Sequence, residues 1–159
     1  MSDLEYPACI NELYQSEVFG EQAFLALMAA AKNERERYHF GTLLQLESET
    51  KVRLRPFLRK YELEFLESRE TEEEIGGFVE LYKNSSWFDF LAAMKPVVDQ
   101  YLARFHEIAN AGPEQDKEIL QSMITHEESF LHWIEKELAG EEGALETAIC
   151  QLQHPLTAP

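Results

Sequence analysis

Apolar residues recur at three- and four-residue steps through four long segments of the chain, and this spacing strongly constrains its fold. Residues at such steps share one face of an α-helix, and that face can be buried against other helices. Long runs of alternating polar and apolar residues, which are typical of half-buried strands, are absent from the sequence. The pattern therefore predicts an all-α protein.

Capping and breaking residues divide the chain into helices. Ser86 and Asp89 have the spacing of a helix start, Pro113 suits a first helical position, and Gly140 suits a helix end. Residues 62–85 read as a long connection that carries one short helix, with Thr71 and Glu74 as its cap signal. The expected helices are those at about 8–32 and 34–65, a third from Ser86, a fourth from Gly112-Pro113 to Gly140, and a short fifth at about 143–152.

The lengths of the connections predict how these helices are arranged. The break at Asn33 is so short that the first two helices should form an antiparallel hairpin, and the same holds for the third and fourth. The long connection at 62–85 then joins the two hairpins. We expect a single domain over residues 1–159, built as a four-helix bundle with one long crossover and a short C-terminal helix over one end.

Charge and hydropathy exclude several classes of function. The chain has 14 Lys and Arg against 30 Asp and Glu, a formal net charge of −16, which disfavours nucleic acids and anionic membrane surfaces as partners. No apolar run approaches the ~20 residues of a membrane span. The first residues are acidic and unlike a signal peptide, so a cytoplasmic protein without disulfides is expected. A bridge between Cys9 and Cys150 is the alternative.

Several carboxylates stand on otherwise apolar helix faces. Glu127 lies between apolar residues one turn away on either side, and Glu47 lies one turn after Leu43 and Leu44 and two turns before Leu54. Glu17 and Glu21 share an apolar face of the first helix. The third helix has Met94 at the corresponding level. Because burying an unpaired carboxylate costs several kcal/mol, such acids usually have a partner. The alternative is that these acids lie at stripe edges and extend outward to water.

With these acids the chain resembles the ferritin-like superfamily of rubrerythrin and di-iron carboxylate proteins over about residues 8–139. That family places a Glu on helices one and three and a Glu-x-x-His on helices two and four, all facing inward. Three positions match the pattern: Glu17, Glu47 and Glu127. Three depart from it, because Thr50 and Phe130 stand where the family has His, and Met94 where it has Glu.

The resemblance implies a ferritin-like, non-haem metal oxidoreductase with an atypical carboxylate site. One weakly held Fe or Mn ion would activate oxygen or peroxide, with Glu17, Glu47 and Glu127 as ligands helped by Glu21 or His126. The loss of both Glu-x-x-His histidines and of one bridging Glu argues against a standard centre with two metal ions.

A bundle without metal is the second hypothesis. Lys51, one turn beyond Glu47, would then turn inward and replace the charge of the metal with a salt bridge. Phe24, Met94, Tyr101 and Phe130 would line an apolar pocket at mid-height for a small apolar molecule. A protein partner, including a second copy in a homodimer, would instead use an exposed helix face. An ordinary four-helix protein without relation to the family is a third interpretation.

Overall fold

The structure is a computed structural model that describes residues 5–68 and 72–159, and these residues form six α-helices and no strand. The all-α prediction is therefore confirmed for the part of the chain described. The helices, in chain order, are α1 (Tyr6–Ala29), α2 (Glu34–Lys60), α3 (Glu72–Asn84), α4 (Trp87–Ala111), α5 (Lys117–Ala139) and α6 (Glu146–Ile149), with a 3₁₀ turn at Glu114–Asp116 before α5.

Side chains cap several of these helices where the sequence indicates. The Asn33 side chain accepts a hydrogen bond from the Glu36 N–H at 2.9 Å, and the Ser86 hydroxyl accepts one from the Asp89 N–H at 3.1 Å. Each bond satisfies a backbone donor that the first turn of a helix leaves open. Gly140 follows α5 with φ at +69°, the left-handed conformation that often ends a helix.

Several helix ends differ from the prediction. Helix α1 ends at Ala29 rather than 32, and α2 ends at Lys60 rather than 65. Glu62 then has a φ of +56°, and the Leu63 N–H donates to the Leu58 carbonyl at 3.0 Å. Phe65 and Leu66 beyond it are exposed. Helix α5 begins at Lys117 after the 3₁₀ turn, and α6 covers only Glu146–Ile149.

The predicted short helix in the long connection is α3, which reaches from Glu72 to Asn84. Its predicted cap residue Thr71 lies outside the described residues. Tyr82 is fully buried and anchors α3 to the first hairpin: its hydroxyl donates to Glu36 and accepts from the Lys32 N–H at 2.8 Å.

Contacts along the helices give their relative directions. Phe24 and Phe40 pack near one end of α1 and α2, while Glu21 reaches Ser48 further along α2, so these helices run antiparallel. Helices α4 and α5 are antiparallel too, because the start of α4 meets the end of α5: the Trp87 indole N–H donates to Glu137 at 2.7 Å. Helix α5 also packs against α2, again with opposite direction.

The buried apolar residues fall into two clusters, one towards each end of the helices. One contains Phe24, Phe40 and Trp133, and the other contains Leu13 and Leu54. Between them, α1, α2 and α5 contribute buried polar residues instead, among them Glu17, Glu47 and His126. The interruption of the apolar core at mid-length is what positions the candidate site.

Two smaller expectations concern the cysteines and membranes. Cys9 and Cys150 form no disulfide; Cys9 is buried and Cys150 is exposed. Within the described ranges, every helix is too short or too polar to cross a bilayer.

Candidate metal centre

Three side chains from three helices meet at the boundary between the two core clusters. Nε2 of His126, on α5, lies 3.1 Å from Oε2 of Glu17 on α1 and 3.1 Å from Oε2 of Glu47 on α2. The exposed fractions are only 1% for Glu17, 5% for Glu47 and 1% for His126. One nitrogen and two oxygens, all within 4.8 Å of one another, therefore face a common point away from bulk water.

The hydrogen bonding of these atoms tests whether they fit a metal ion. Nε2 of His126 is close enough to Oε2 of Glu17 and Oε2 of Glu47 for ion pairs, but these contacts lack hydrogen-bond geometry, and among the described residues the three atoms have no hydrogen-bond partner. Buried polar atoms without partners are rare and cost free energy, so a group of three needs an explanation. Imidazole and carboxylate are ligands that iron and manganese accept, and a cation among them would use all three atoms. The residues present therefore fit a divalent transition-metal ion.

Gly20, one turn after Glu17 on α1, makes room for the Glu47 carboxylate. A Cβ at position 20 would overlap Oε1 and Cδ of Glu47 and would lie 3.0 Å from its Oε2. The absence of a side chain at this buried position lets the carboxylate approach the α1 backbone. Glycine in a helix interior costs about 1 kcal/mol relative to alanine, and here the close approach of Glu47 accounts for it.

Burial and mutual repulsion control the charges of the cluster. Burial raises the pKa of Glu47 well above its ordinary value, and the nearby Glu17 carboxylate raises that pKa further. Burial lowers the pKa of His126, but the carboxylates of Glu17 and Glu47 outweigh it and hold the pKa well above its ordinary value. Without a cation His126 thus favours its protonated form, and a bound metal ion would displace the proton from Nε2.

Glu127 is buried beside this cluster but is not part of it. Its carboxyl group lines a cavity together with Glu17 and Glu47. Burial raises the pKa of Glu127 to about 8, against a smaller opposing effect of His126. The Glu127 carboxyl group therefore holds a proton at neutral pH.

The cavity itself has a volume of about 70 Å³ and lies between α1, α3, α4 and α5. That is room for about five water molecules or one small solute. Its walls are mainly apolar and include all four residues predicted to line a pocket: Phe24, Met94, Tyr101 and Phe130. Phe19, Phe78 and Tyr101 line both this cavity and a neighbouring groove on the surface.

Glu21, expected to assist as a ligand, takes part in other interactions. Its carboxylate accepts a hydrogen bond from the Ser48 hydroxyl at 2.6 Å and forms an ion pair with Lys51. Lys51 also pairs with Glu67 at 2.7 Å. The lysine that the metal-free hypothesis placed against the acid cluster therefore pairs with these two carboxylates instead.

On α5 the sequence analysis gave the main ligand position to Glu127 and a helping role to His126. The structure places the His126 ring, rather than the Glu127 carboxyl group, beside both Glu17 and Glu47, while Glu127 lines the cavity. Thr50, on α2, contacts the other nitrogen of the His126 ring. Its hydroxyl group lies 3.1 Å from Nδ1 of His126 and leaves room for the ring.

Comparison of the chain with protein-family models, with curated proteins and with solved structures finds no match. The geometry of the site and the arrangement of the helices are therefore the basis for the function proposed below.

Proposed function

We propose that the protein is a ferritin-like four-helix bundle that holds one iron or manganese ion and acts as a non-haem oxidoreductase. The helix directions support this arrangement. Helices α1 and α2 run antiparallel, α2 and α5 run antiparallel, and α5 and α4 run antiparallel. Helices α2 and α4 therefore run in the same direction, which requires a long connection between the two hairpins, as in ferritin-like folds.

The observation that carries the proposal is the group of three buried atoms on Glu17, Glu47 and His126 that lie within 4.8 Å of one another without a hydrogen bond among the described residues. An apolar core would avoid the cost of burying these atoms. The ion pairs of His126 with the two carboxylates offset only part of that cost, because the contacts lack hydrogen-bond geometry. A metal ion held by all three satisfies them together. A cavity directly beside them gives space for a small reactant.

The departures from the family pattern support one ion rather than two. Met94 and Phe130, at positions where the family has ligands, line the cavity as apolar walls. Thr50 supports the ring of His126, so α2 brings a hydroxyl group rather than an imidazole to the site at this position. The remaining donors are two carboxylates and one imidazole on one side of the cavity, with Glu127 nearby.

Each role in the proposed activity is given to a residue of this chain. Glu17, Glu47 and His126 would hold the ion, which when bound supplies one-electron redox chemistry towards dioxygen or peroxide. Phe24 and Phe130 give the cavity beside it apolar walls. Glu127, with its pKa of about 8, holds a proton at its carboxyl oxygen at neutral pH and is the acid beside the cavity that could donate a proton to a bound reactant.

Metal content tests this proposal. Protein purified without chelator and loaded anaerobically with Fe(II) or Mn(II) should contain about one ion per chain. Glu47→Gln keeps the size of the side chain but removes its charge, and should lower the content towards zero. Glu21→Gln is the matched control, because Glu21 pairs with Lys51 outside the cluster and its replacement should leave the content unchanged. A wild-type content near zero would refute the proposal.

A metal-free binding protein is the second candidate, and the apolar wall of the cavity favours it. In that case a positively charged His126 would lie between the two carboxylates, and a small apolar solute would occupy the cavity. Xenon suits this test, because small dry apolar cavities bind it. Xenon-dependent NMR shifts of the Met94 methyl group in a protein that takes up no ion would support this candidate over the oxidoreductase.

A further inference from the structure

The second ring nitrogen of His126 faces away from the acid cluster and towards α2. Nδ1 lies 3.1 Å from Oγ1 of Thr50, which is 1% exposed. The Thr50 hydroxyl in turn accepts a hydrogen bond from Nη2 of Arg53 at 3.0 Å. A chain of three side chains, which we call the Arg53–Thr50–His126 relay, thus leads from the surface to the site.

We propose that Thr50, held by Arg53, is the positioning residue that keeps a proton on Nδ1 of His126 and so leaves Nε2 free to bind the metal ion. This inference rests on the proposed function, and its test below also applies to the protein without metal. Thr50 is one helical turn after Glu47, so a single turn of α2 would supply one ligand and the support for another.

The hydrogen-bonding capacity of the hydroxyl group explains this role. A threonine oxygen accepts two hydrogen bonds and donates one, whereas an arginine side chain only donates. Arg53 therefore occupies one lone pair of Oγ1, and the second lone pair can accept the Nδ1–H of His126. A histidine that binds metal through one nitrogen almost always donates from the other, which fixes the orientation and tautomer of the ring.

The exposure of Arg53 keeps the desolvation cost of this arrangement low. Arg53 is exposed and lines an open groove between α2 and the segment 151–154, so its charge stays in water. Only the neutral hydroxyl group is buried against His126. The relay therefore supports the ring without placing a second charge beside the site.

Three variants separate this role from simple packing. Thr50→Val keeps the shape of the side chain but removes the hydroxyl group, and should weaken Mn(II) binding by about 10- to 100-fold. Thr50→Ser retains the hydroxyl group and should restore binding to near the wild-type value. Thr42→Val is the matched control, because Thr42 is also fully buried on α2 but its hydroxyl group has no hydrogen-bond partner. It should leave Mn(II) binding unchanged.

The ¹⁵N NMR resonances of the His126 ring, recorded without added metal, provide the second readout. We expect Thr50→Val to shift the Nδ1 resonance and Thr50→Ser to return it, while Thr42→Val has no effect. A wild-type protein that binds no Mn(II) but shows these shifts would refute the proposed function and retain the Thr50–His126 contact. Unchanged Mn(II) affinity and an unchanged Nδ1 resonance in Thr50→Val would overturn the positioning role. Urea unfolding of each variant confirms that a loss of binding is not a loss of fold.

Discussion

Replacing Gly20 with alanine sets two effects of opposite sign against each other. Alanine is favoured over glycine in a helix interior by about 1 kcal/mol, so the change alone should stabilise α1. At this position, however, the added Cβ would overlap the Glu47 carboxylate. That carboxylate is the far end of a flexible side chain, so it can move while the backbone stays in place. Gly20→Ala should therefore weaken metal binding rather than destabilise the fold.

The size of the effect follows from the loss of one of three protein ligands. Disturbing a residue that merely supports a ligand already weakens metal binding by about 10- to 100-fold, so displacement of Glu47 should cost at least about 100-fold. At a metal concentration 100 times the wild-type Kd, the ion stabilises the folded wild type by about 2.7 kcal/mol. At that concentration a variant that binds 100-fold more weakly keeps only about 0.4 kcal/mol.

Thermal unfolding with and without Mn(II) measures this difference. The ion should raise the Tm of the wild type by about 5 to 11 °C and that of Gly20→Ala by about 1 °C. Gly76→Ala and Gly77→Ala are matched controls, because both are exposed helical glycines where a Cβ would meet no atom within 4 Å. They should gain helix stability and keep the full Mn(II) shift. A full Mn(II) shift in Gly20→Ala would refute the reasoning.

Three other substitutions test the remaining interactions. The pKa of Glu127 is raised to about 8 from an ordinary 4.5, so its stabilising contribution is complete below the ordinary value and is lost as the pH rises through 8. Glu127→Gln should thus have little effect on the free energy of unfolding of the metal-free protein in urea at pH 5. Above pH 8 it should raise that free energy by as much as about 4 kcal/mol. Equal effects at both pH values would contradict this. Asp116→Asn weakens a buried acceptor shared by two tyrosines and a lysine, and should lower the free energy of unfolding in urea by about 2 to 3 kcal/mol without changing metal content. Tyr82→Phe removes the bond to Glu36 and should cost about 1 to 3 kcal/mol, with faster amide hydrogen exchange in α3; unchanged exchange would show that Tyr82 is not its anchor.

The helices could be predicted from the sequence because each buries one face, and the spacing of the apolar residues indicates that face directly. Their ends are harder to predict, since they depend on what the last turn touches. Leu63 and Phe65 continue an apolar pattern beyond α2, yet the chain turns at Glu62 and leaves Phe65 exposed. The apolar pattern alone does not contain that information.

The site shows the same division. Glu17 and Glu47 could be predicted because a carboxylate in the middle of an apolar face is unusual. The choice between His126 and Glu127 could not be predicted. Adjacent residues are rotated by about 100° around the helix axis, and the apolar stripe does not show which of the two meets a gap on another helix. The pairing of Glu21 with Lys51 likewise depends on the register between α1 and α2. The homodimer and the cytoplasmic location stay predictions.

The central claim is that one divalent ion binds between Glu17, Glu47 and His126. Anomalous X-ray diffraction from crystals loaded with Fe(II) or Mn(II), with data collected above and below the absorption edge of the metal, tests it most directly. One anomalous peak per chain within coordination distance of Oε2 of Glu17, Oε2 of Glu47 and Nε2 of His126 is the predicted result. A map without a peak at these atoms, from crystals whose soaking solution contains the metal in excess, would contradict the claim.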